Sequence, residues 1–362
     1  MIDLSLDDLL HSFLLDSFYE SSISSSYIKR QYIEYSRGDQ MPKYKKPLAF
    51  LFGAIAMISY LSIRYFPRTE DAQTVLSVQD ESTHMQVYLK DHDHSLVPLS
   101  IPVSEEMNEE DKLQLMVSYM SGKQNIKGFL PLFTKECTVK KVMIANGKAV
   151  MDFDDSLKNY QKEDELRVLE SLTWGATQFH DVEQLEIRLN GVKLSSMPNA
   201  QTPIPNVLNR GIGINHFETA TSALHTSDSV TVYCAKKIEG QQFLIPRSKR
   251  VMHASDSIKE GVLQVISDVS ASSELSQPLY QDDIKINNFQ FSNGTLIVDI
   301  NKNLLSSDKS VKEDLYDSLI LSLSALSGVD KVQVKVDGVS VMPQQQESAV
   351  SVYDLSYNEI AF

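Results

Sequence analysis

The residues best equipped for chemistry in this 362-residue chain are the run Asp91-His92-Asp93-His94 and the carboxylates Asp152 and Asp299. On a strand, His92 and His94 would point to one side and could share a metal ion. The run falls where a strand-to-strand turn is needed, however, and Asp and His are ordinary turn residues. Asp152 and Asp299 have the chemistry of acid–base catalysts, but each stands alone, and a strand-end Asp that caps a turn is the better assignment. Ser, His and Asp are all present, yet no Gly-x-Ser-x-Gly elbow appears, and His180, His216, His225 and His253 fall at unrelated points. A glycine-rich phosphate loop is also missing. The expectation is therefore no catalytic residue, no cofactor site and no metal ligand, hence not an enzyme.

The elements that carry these residues come in duplicate. Asn146-Gly147 falls on Asn293-Gly294, Asp152 on Asp299, Leu157 on Leu304, Val182 on Val329 and Gly191 on Gly338, each pair 147 apart, so 139–194 align with 286–341 without a gap. Tyr88 and Tyr233 are 145 apart. At the position of the Asp-His run the second copy has Lys237-Ile238-Glu239-Gly240, without ligands. The copies span 84–195 and 228–342.

Both copies read ββαββαβ, which predicts an α+β fold with a mixed or antiparallel sheet and two helices on one face. Met85, Val87 and Leu89 alternate in the first opening strand, and Val230, Val232 and Cys234 in the second. Leu113, Met116, Val117 and Met120 stripe the first helix, as Ile258, Val262, Val265, Ile266 and Val269 do in the second copy. Asn-Gly between alternating runs signals a hairpin with a type I′ turn. It places Val142, Ile144, Ala149, Met151 and Phe153 on one apolar face, matched by Phe289, Phe291, Leu296, Val298 and Ile300. Leu169, Leu172, Ala176 and Phe179 mark the next helix, matched by Tyr316, Leu319, Leu323 and Leu326. Trp174 has Leu321 as its counterpart, so core or interface packing accounts for it. Cys137 and Cys234 fall at different places in the two copies and are expected as free, buried thiols. Residues 196–227 link the copies and, at about 30 residues, are long for a plain linker, which suits wrapping against one domain. The tail 343–362 fits an added edge strand or disorder equally well.

One apolar run is long enough to matter to a membrane: Leu48–Ile63, which with its flanks gives a transmembrane helix over 47–66. Lys29, Arg30, Arg37, Lys43, Lys45 and Lys46 precede it, whereas only Arg64 and Arg68 follow before residue 86. The basic side stays in the cytoplasm. The expected protein is thus a single-pass cell-membrane protein with a cytoplasmic arm (1–46), a stalk (67–83) and extracytoplasmic domains. The arm carries a leucine- and phenylalanine-rich stripe from Leu4 to Phe18, which suits a docking helix or a floppy tail. It holds seven acids against six bases; without it and without Arg64 and Arg68, 41 acids face 26 bases, a balance of −15. Such a surface repels nucleic acid.

Taken together, VYL at Val87–Leu89 and VYC at Val232–Cys234, the hairpins NGKAVMDF and NGTLIVDI, and a helix leading to a strand that ends in NG or DG resemble GerM domains. The resemblance covers both copies but neither the arm nor the anchor. The family's Leu-x-Gly-Pro-like helix end survives only as Met120-Ser121-Gly122-Lys123. The resemblance implies a non-enzymatic role in sporulation or spore germination, in domains similar to the ring-building modules of channels around a forming spore. The expected function is a membrane-anchored scaffold whose partners are other envelope or sporulation-complex proteins. A cell-wall-binding or cell-wall-modifying envelope protein is the alternative. Repeated surfaces, with the final strands Val182–Asn190 and Val329–Asp337 as sheet edges, favour weak self-association into an arc or ring over a closed pair.

Overall fold

Asn-Gly turns set the register of both repeats. Asn146 and Gly147 have φ of 53° and 73°, and Asn293 and Gly294 have 48° and 74°, the left-handed pair a type I′ turn requires. They join β3 (Val139–Ala145) to β4 (Lys148–Phe153), and β9 (Ile286–Ser292) to β10 (Thr295–Ile300). Ala149, Met151 and Phe153 are fully buried, as are Leu296, Val298 and Ile300, so along β4 and β10 the apolar faces read from the alternation are core faces. On their partners Val142 is buried and Ile144 and Phe289 half-buried, while Phe291, expected on the same face, is exposed beside the turn. The computed structural model describes residues 84–216, 227–253, 256–267, 276–341, 350–351 and 357–360. The arm, anchor and stalk assigned to 1–83 lie outside the described residues, among which no helix is long and apolar enough to cross a membrane.

Each repeat opens with a hairpin, β1 (His84–Lys90) with β2 (Leu96–Pro102) and β7 (Ser227–Ile238) with β8 (Gln241–Met252). The first helices are α1 (Glu109–Met120) and α3 (Ser257–Val265). After β4 and β10 come α2 (Glu165–Ala176) and α4 (Glu313–Ser324), then β5 (Gln184–Leu189) and β11 (Lys331–Val336). These crossovers make β4 parallel to β5 and β10 parallel to β11. The fold is α+β with mixed sheets, as read from the sequence.

Two features correct that reading. The opening hairpins do not join the main sheets but stand as separate two-stranded units. The final strands are not sheet edges, because a second left-handed turn (Asn190-Gly191, Asp337-Gly338) folds β6 (Val192–Lys193) and β12 (Val339–Ser340) back onto them. In the order β3-β4-β5-β6 and its counterpart β12-β11-β10-β9, the strands opposite these returns are β3 and β9. The linker and tail also pair with the sheets, the tail as the added strand that was one of its two readings. Leu208 pairs with Leu185, and β13 (Val350–Ser351) pairs with Val332 and Lys331, the same place in the second repeat.

The outer edge of each hairpin is closed by its own repeat. Gln178 bonds both the N–H and C=O of Gln86, Ser171 donates to Tyr88 O, and Lys90 exchanges bonds with Leu130. In the second repeat Ser318 donates to Tyr233 O, Ser322 accepts from Tyr233 N–H, and Ala235 exchanges with Ser276. Edge groups left bare would invite other strands. The described residues all belong to one compact unit, and it is the inner edges, β2 and β8, that bring the repeats together.

Candidate functional site at the seam between the repeats

The inner strands carry equivalent prolines, Pro98 opposite Tyr88 and Pro246 opposite Tyr233. Proline has no N–H to give a ladder, and two asparagine side chains complete the pairing. From the linker, Asn215 accepts from Leu96 N–H at 2.7 Å and donates to Leu96 O and Pro246 O at 2.7 and 2.9 Å. From the tail, Asn358, fully buried, accepts from Leu244 N–H at 2.8 Å and donates to Leu244 O and Pro98 O at 2.8 and 2.7 Å. Each asparagine thus holds both groups of a leucine in its own repeat and the proline carbonyl of the other. Their neighbours follow suit: Ile214 N–H donates to Ser248 Oγ, and Tyr357 N–H to Ser100 Oγ. These equivalences describe a pseudo-two-fold seam with two straps, one from each repeat. Within the chain the copies therefore meet as a closed pair.

The first strap docks on α2. Trp174 Nε1 donates to Gly213 O at 3.0 Å, and the Arg210 guanidinium lies 4.8 Å from the indole, a cation–π contact. Gly213 has φ 79° and ψ −174°, a region open essentially to glycine alone. Farther up, Glu165 anchors the start of the strap: its carboxylate accepts from the N–H of Asn199, Ala200 and Thr202 at 2.6, 2.7 and 2.8 Å and from Tyr160 OH at 2.7 Å. Burial works to raise its pKa, but the Tyr160 hydroxyl and these amides prevail and hold it at about 2.

The Asp-His run is the turn of the first hairpin. Asp91 Oδ1 accepts from Asp93 N–H and Ser95 N–H, while Lys236 of the second repeat bonds Asp91 Oδ2 at 2.8 Å and Asp93 Oδ2 at 2.6 Å. Burial opposes the Lys236 charge, yet the two aspartates outweigh it and raise its pKa. These carboxylates thus fold a turn and bind one repeat to the other. Asp152 and Asp299 accept from the N–H of Gly191 and Gly338 at 2.8 and 3.0 Å. They cap turns as expected, though the turn belongs to the neighbouring parallel strand. His180 and His253 are exposed beside Asp181 and Asp228, and His225 lies outside the described residues. Cys137 and Cys234 are both fully buried and not joined in a disulfide, and burial pushes the Cys137 thiol up to about 12.

Sequence reasoning missed Asn215 and Asn358, by which the straps reach the other repeat, and Glu170. This glutamate lies on α2, 2 % exposed, with Asn215 N–H 3.2 Å from its Oε2. A signal was available for the straps. Ser195-Ser196-Met197-Pro198 stands beside Ser340-Val341-Met342-Pro343, at an offset of 145, and Asn215 beside Asn358 at 143.

Two α+β repeats, each with a hairpin, two helices, a mixed sheet and a strap that reaches the other, define a tandem-domain protein. The family described as "Germane: Sporulation and spore germination" matches 86–195 and 231–341, more than half of the chain, and the chain belongs to it. It is 27% identical over 286 residues to the spore germination protein GerM of Bacillus subtilis (strain 168), spanning 77% of this chain and 78% of that protein. The solved tandem GerMN domains of the sporulation protein GerM from Bacillus subtilis match with a TM-score of 0.66 at 27% identity, over 75% of this chain and 98% of that one.

Proposed function

We propose that this chain is a non-enzymatic, membrane-anchored scaffold acting outside the cytoplasm in sporulation or spore germination. The observation that carries the reading is the fate of its reactive-looking groups. Asp91, Asp93, Asp152, Asp299 and Glu165 all hold turns, straps or the other repeat, which is the chemistry of a rigid body. Family membership supplies the biological setting. The apolar run within 47–66 and the basic residues before it support a single-pass anchor with the domains outside. Strands β3 and β9 offer envelope or sporulation-complex proteins a place to add a strand. The same edges provide for weak self-association, which the balance of −15 opposes at low salt.

Topology and role are tested together. Because both native thiols are buried, a cysteine at Ser77 should react with an impermeant reagent on intact cells, and one at Ser22 should not. The reverse pattern overturns the orientation. Removing the gene should lower the yield or germination of heat-resistant spores, and restoring it without residues 47–66 should fail to rescue. Normal sporulation and germination without the gene would refute the assigned role.

A further inference from the structure

A cleft of about 510 Å³ opens at the seam, within the size range of small-molecule sites. The turn of the first hairpin, α2 and its approach, the first strap and the second hairpin all border it. We propose that this cleft binds a small zwitterion of the free amino acid or dipeptide class, with its ammonium on Glu170 and its carboxylate toward Arg167 and Arg247.

Glu170 points to the ammonium. Its side chain is almost wholly buried, and Oε2 is met by Asn215 N–H at 3.2 Å. Oε1 has no hydrogen-bond partner; His216 Nε2 stands 3.7 Å away. A buried carboxylate oxygen without a donor is costly, and an ammonium carries three donors. Asp317 occupies the same helical position in the second repeat and is also buried.

The remaining charges select a ligand of both signs. Three carboxylates line the cleft, Asp93, Glu163 and Glu170, against the three cations Arg167, Lys236 and Arg247. That balance matches neither a polyanion nor a polycation. Asp93 and Lys236 already hold each other at 2.6 Å, which places the selective contacts at Glu170 and at the guanidinium side. Arg167 is steadied by Asp164 at 3.1 Å and by His94 O at 2.7 Å, so it can present its charge without rearranging.

Proton linkage gives the site a signature. Burial pushes Glu170 up to about 8, against the lowering influence of Asn215 N–H and Arg167. At neutral pH the empty site therefore holds a protonated acid, and an arriving ammonium ionises it and releases that proton. The folded pKa is raised, so ligand affinity should climb as pH approaches 8, by about twentyfold between pH 6 and 7.5. Partial burial lowers the pKa of His216; where it does protonate, at the acid end, it competes with the ammonium and acts in the same direction. Asp93, Glu163, His94, Lys236, Arg167 and Arg247 complete the charged and titratable lining.

The test titrates the purified full-length chain in detergent with the twenty amino acids and glycylglycine. Trp174, the only tryptophan and one helical turn beyond Glu170, supplies a fluorescence readout, and calorimetry in buffers of different ionisation heat counts protons. At least one ligand should saturate at millimolar concentration or below and release close to one proton at pH 7. Its N-acetyl and its amide derivatives should each bind at least tenfold more weakly. E170Q should keep its melting temperature and lose at least tenfold in affinity. Absence of saturable binding across the panel overturns the proposal. Binding without proton release, or equal binding of the capped forms, overturns the assigned contacts whether or not E170Q folds.

Discussion

Replacing Asn358 by alanine isolates the seam from the rest of the fold. Three bonds of 2.7–2.8 Å disappear, and Leu244 N–H, Leu244 O and Pro98 O are left in a fully buried place without the amide that met them. Each stranded group costs about 1–3 kcal/mol. With some relaxation, the total comes to about 3–6 kcal/mol, a large share of the 5–15 kcal/mol typical of a domain. For a body of this size that is a fall in melting temperature of roughly 5–10 °C. The assay is thermal and urea unfolding followed by circular dichroism on wild type, N358A, N215A and the double variant. Because both asparagines serve one seam, the double variant should lose less than the two singles added together. A change below about 1 kcal/mol for N358A, or strict additivity, would refute a cooperative seam built on two straps.

The other predictions rest on single groups. Glu165, held at about 2 when folded against an ordinary value near 4.5, contributes stability present above pH 4.5 and lost as pH falls through 2, about 3 kcal/mol in all. E165Q should remove that pH dependence, read from unfolding midpoints at pH 5 and 2.5; an unchanged acid limb would contradict it. A Cβ at Gly213 would lie 2.4 Å from the His216 ring and 2.8 Å from Ser229 Oγ at a φ of +79°. G213A should therefore lose at least about 2 kcal/mol and red-shift Trp174 emission, since the indole loses the Gly213 carbonyl. Cys137 and Cys234 should stay unreactive toward an aromatic disulfide reagent until denaturant is added, and rapid labelling of the native chain would contradict their burial.

What could be read in the chain was whatever short-range pattern determines. Asn-Gly fixes a left-handed turn wherever it stands, so the hairpins at 146 and 293, their core faces, and the pairing of Asp152 with Asp299 were all visible. The helix stripes were visible too, apart from Val269, which lies outside the described residues, though α2 turned out buried nearly all round, meeting the opening hairpin as well as the first strap. The second turn at Asn190-Gly191 carried the same signal as the first, yet it was taken for a strand end, since only two residues follow it in the sheet. Hairpin placement was out of reach. Alternation says which face is apolar, but not whether a strand joins the main sheet or is closed by Gln178 and Ser171. Glu170 lies two positions before Leu172 on a helix whose polar residues look solvent-exposed, yet it is buried and met by Asn215 of the strap. The straps themselves were hidden by a drifting offset: 147 across the sheets falls to 145 at Pro198 and 143 at Asn215.

The prolines explain why the repeats are joined in one chain. Pro98 and Pro246 take an N–H from each inner edge, so β2 and β8 cannot simply zip together, nor can either accept an arbitrary strand. Pairing needs an amide side chain delivered to the gap, and each repeat brings its own on a strap that first crosses β5 or β11. Such a junction rejects foreign edges because they lack the asparagine. It would also be weak between separate molecules, since every contact would have to be ordered at once. Covalent linkage raises the effective concentration of one repeat near the other to the millimolar range, and the seam then forms within the chain. Among the described residues the inner edges are consumed in this way and the outer hairpin edges are closed by Gln178, Ser171 and Ser318, while β3 and β9 lie at equivalent ends of the main sheets of the two repeats.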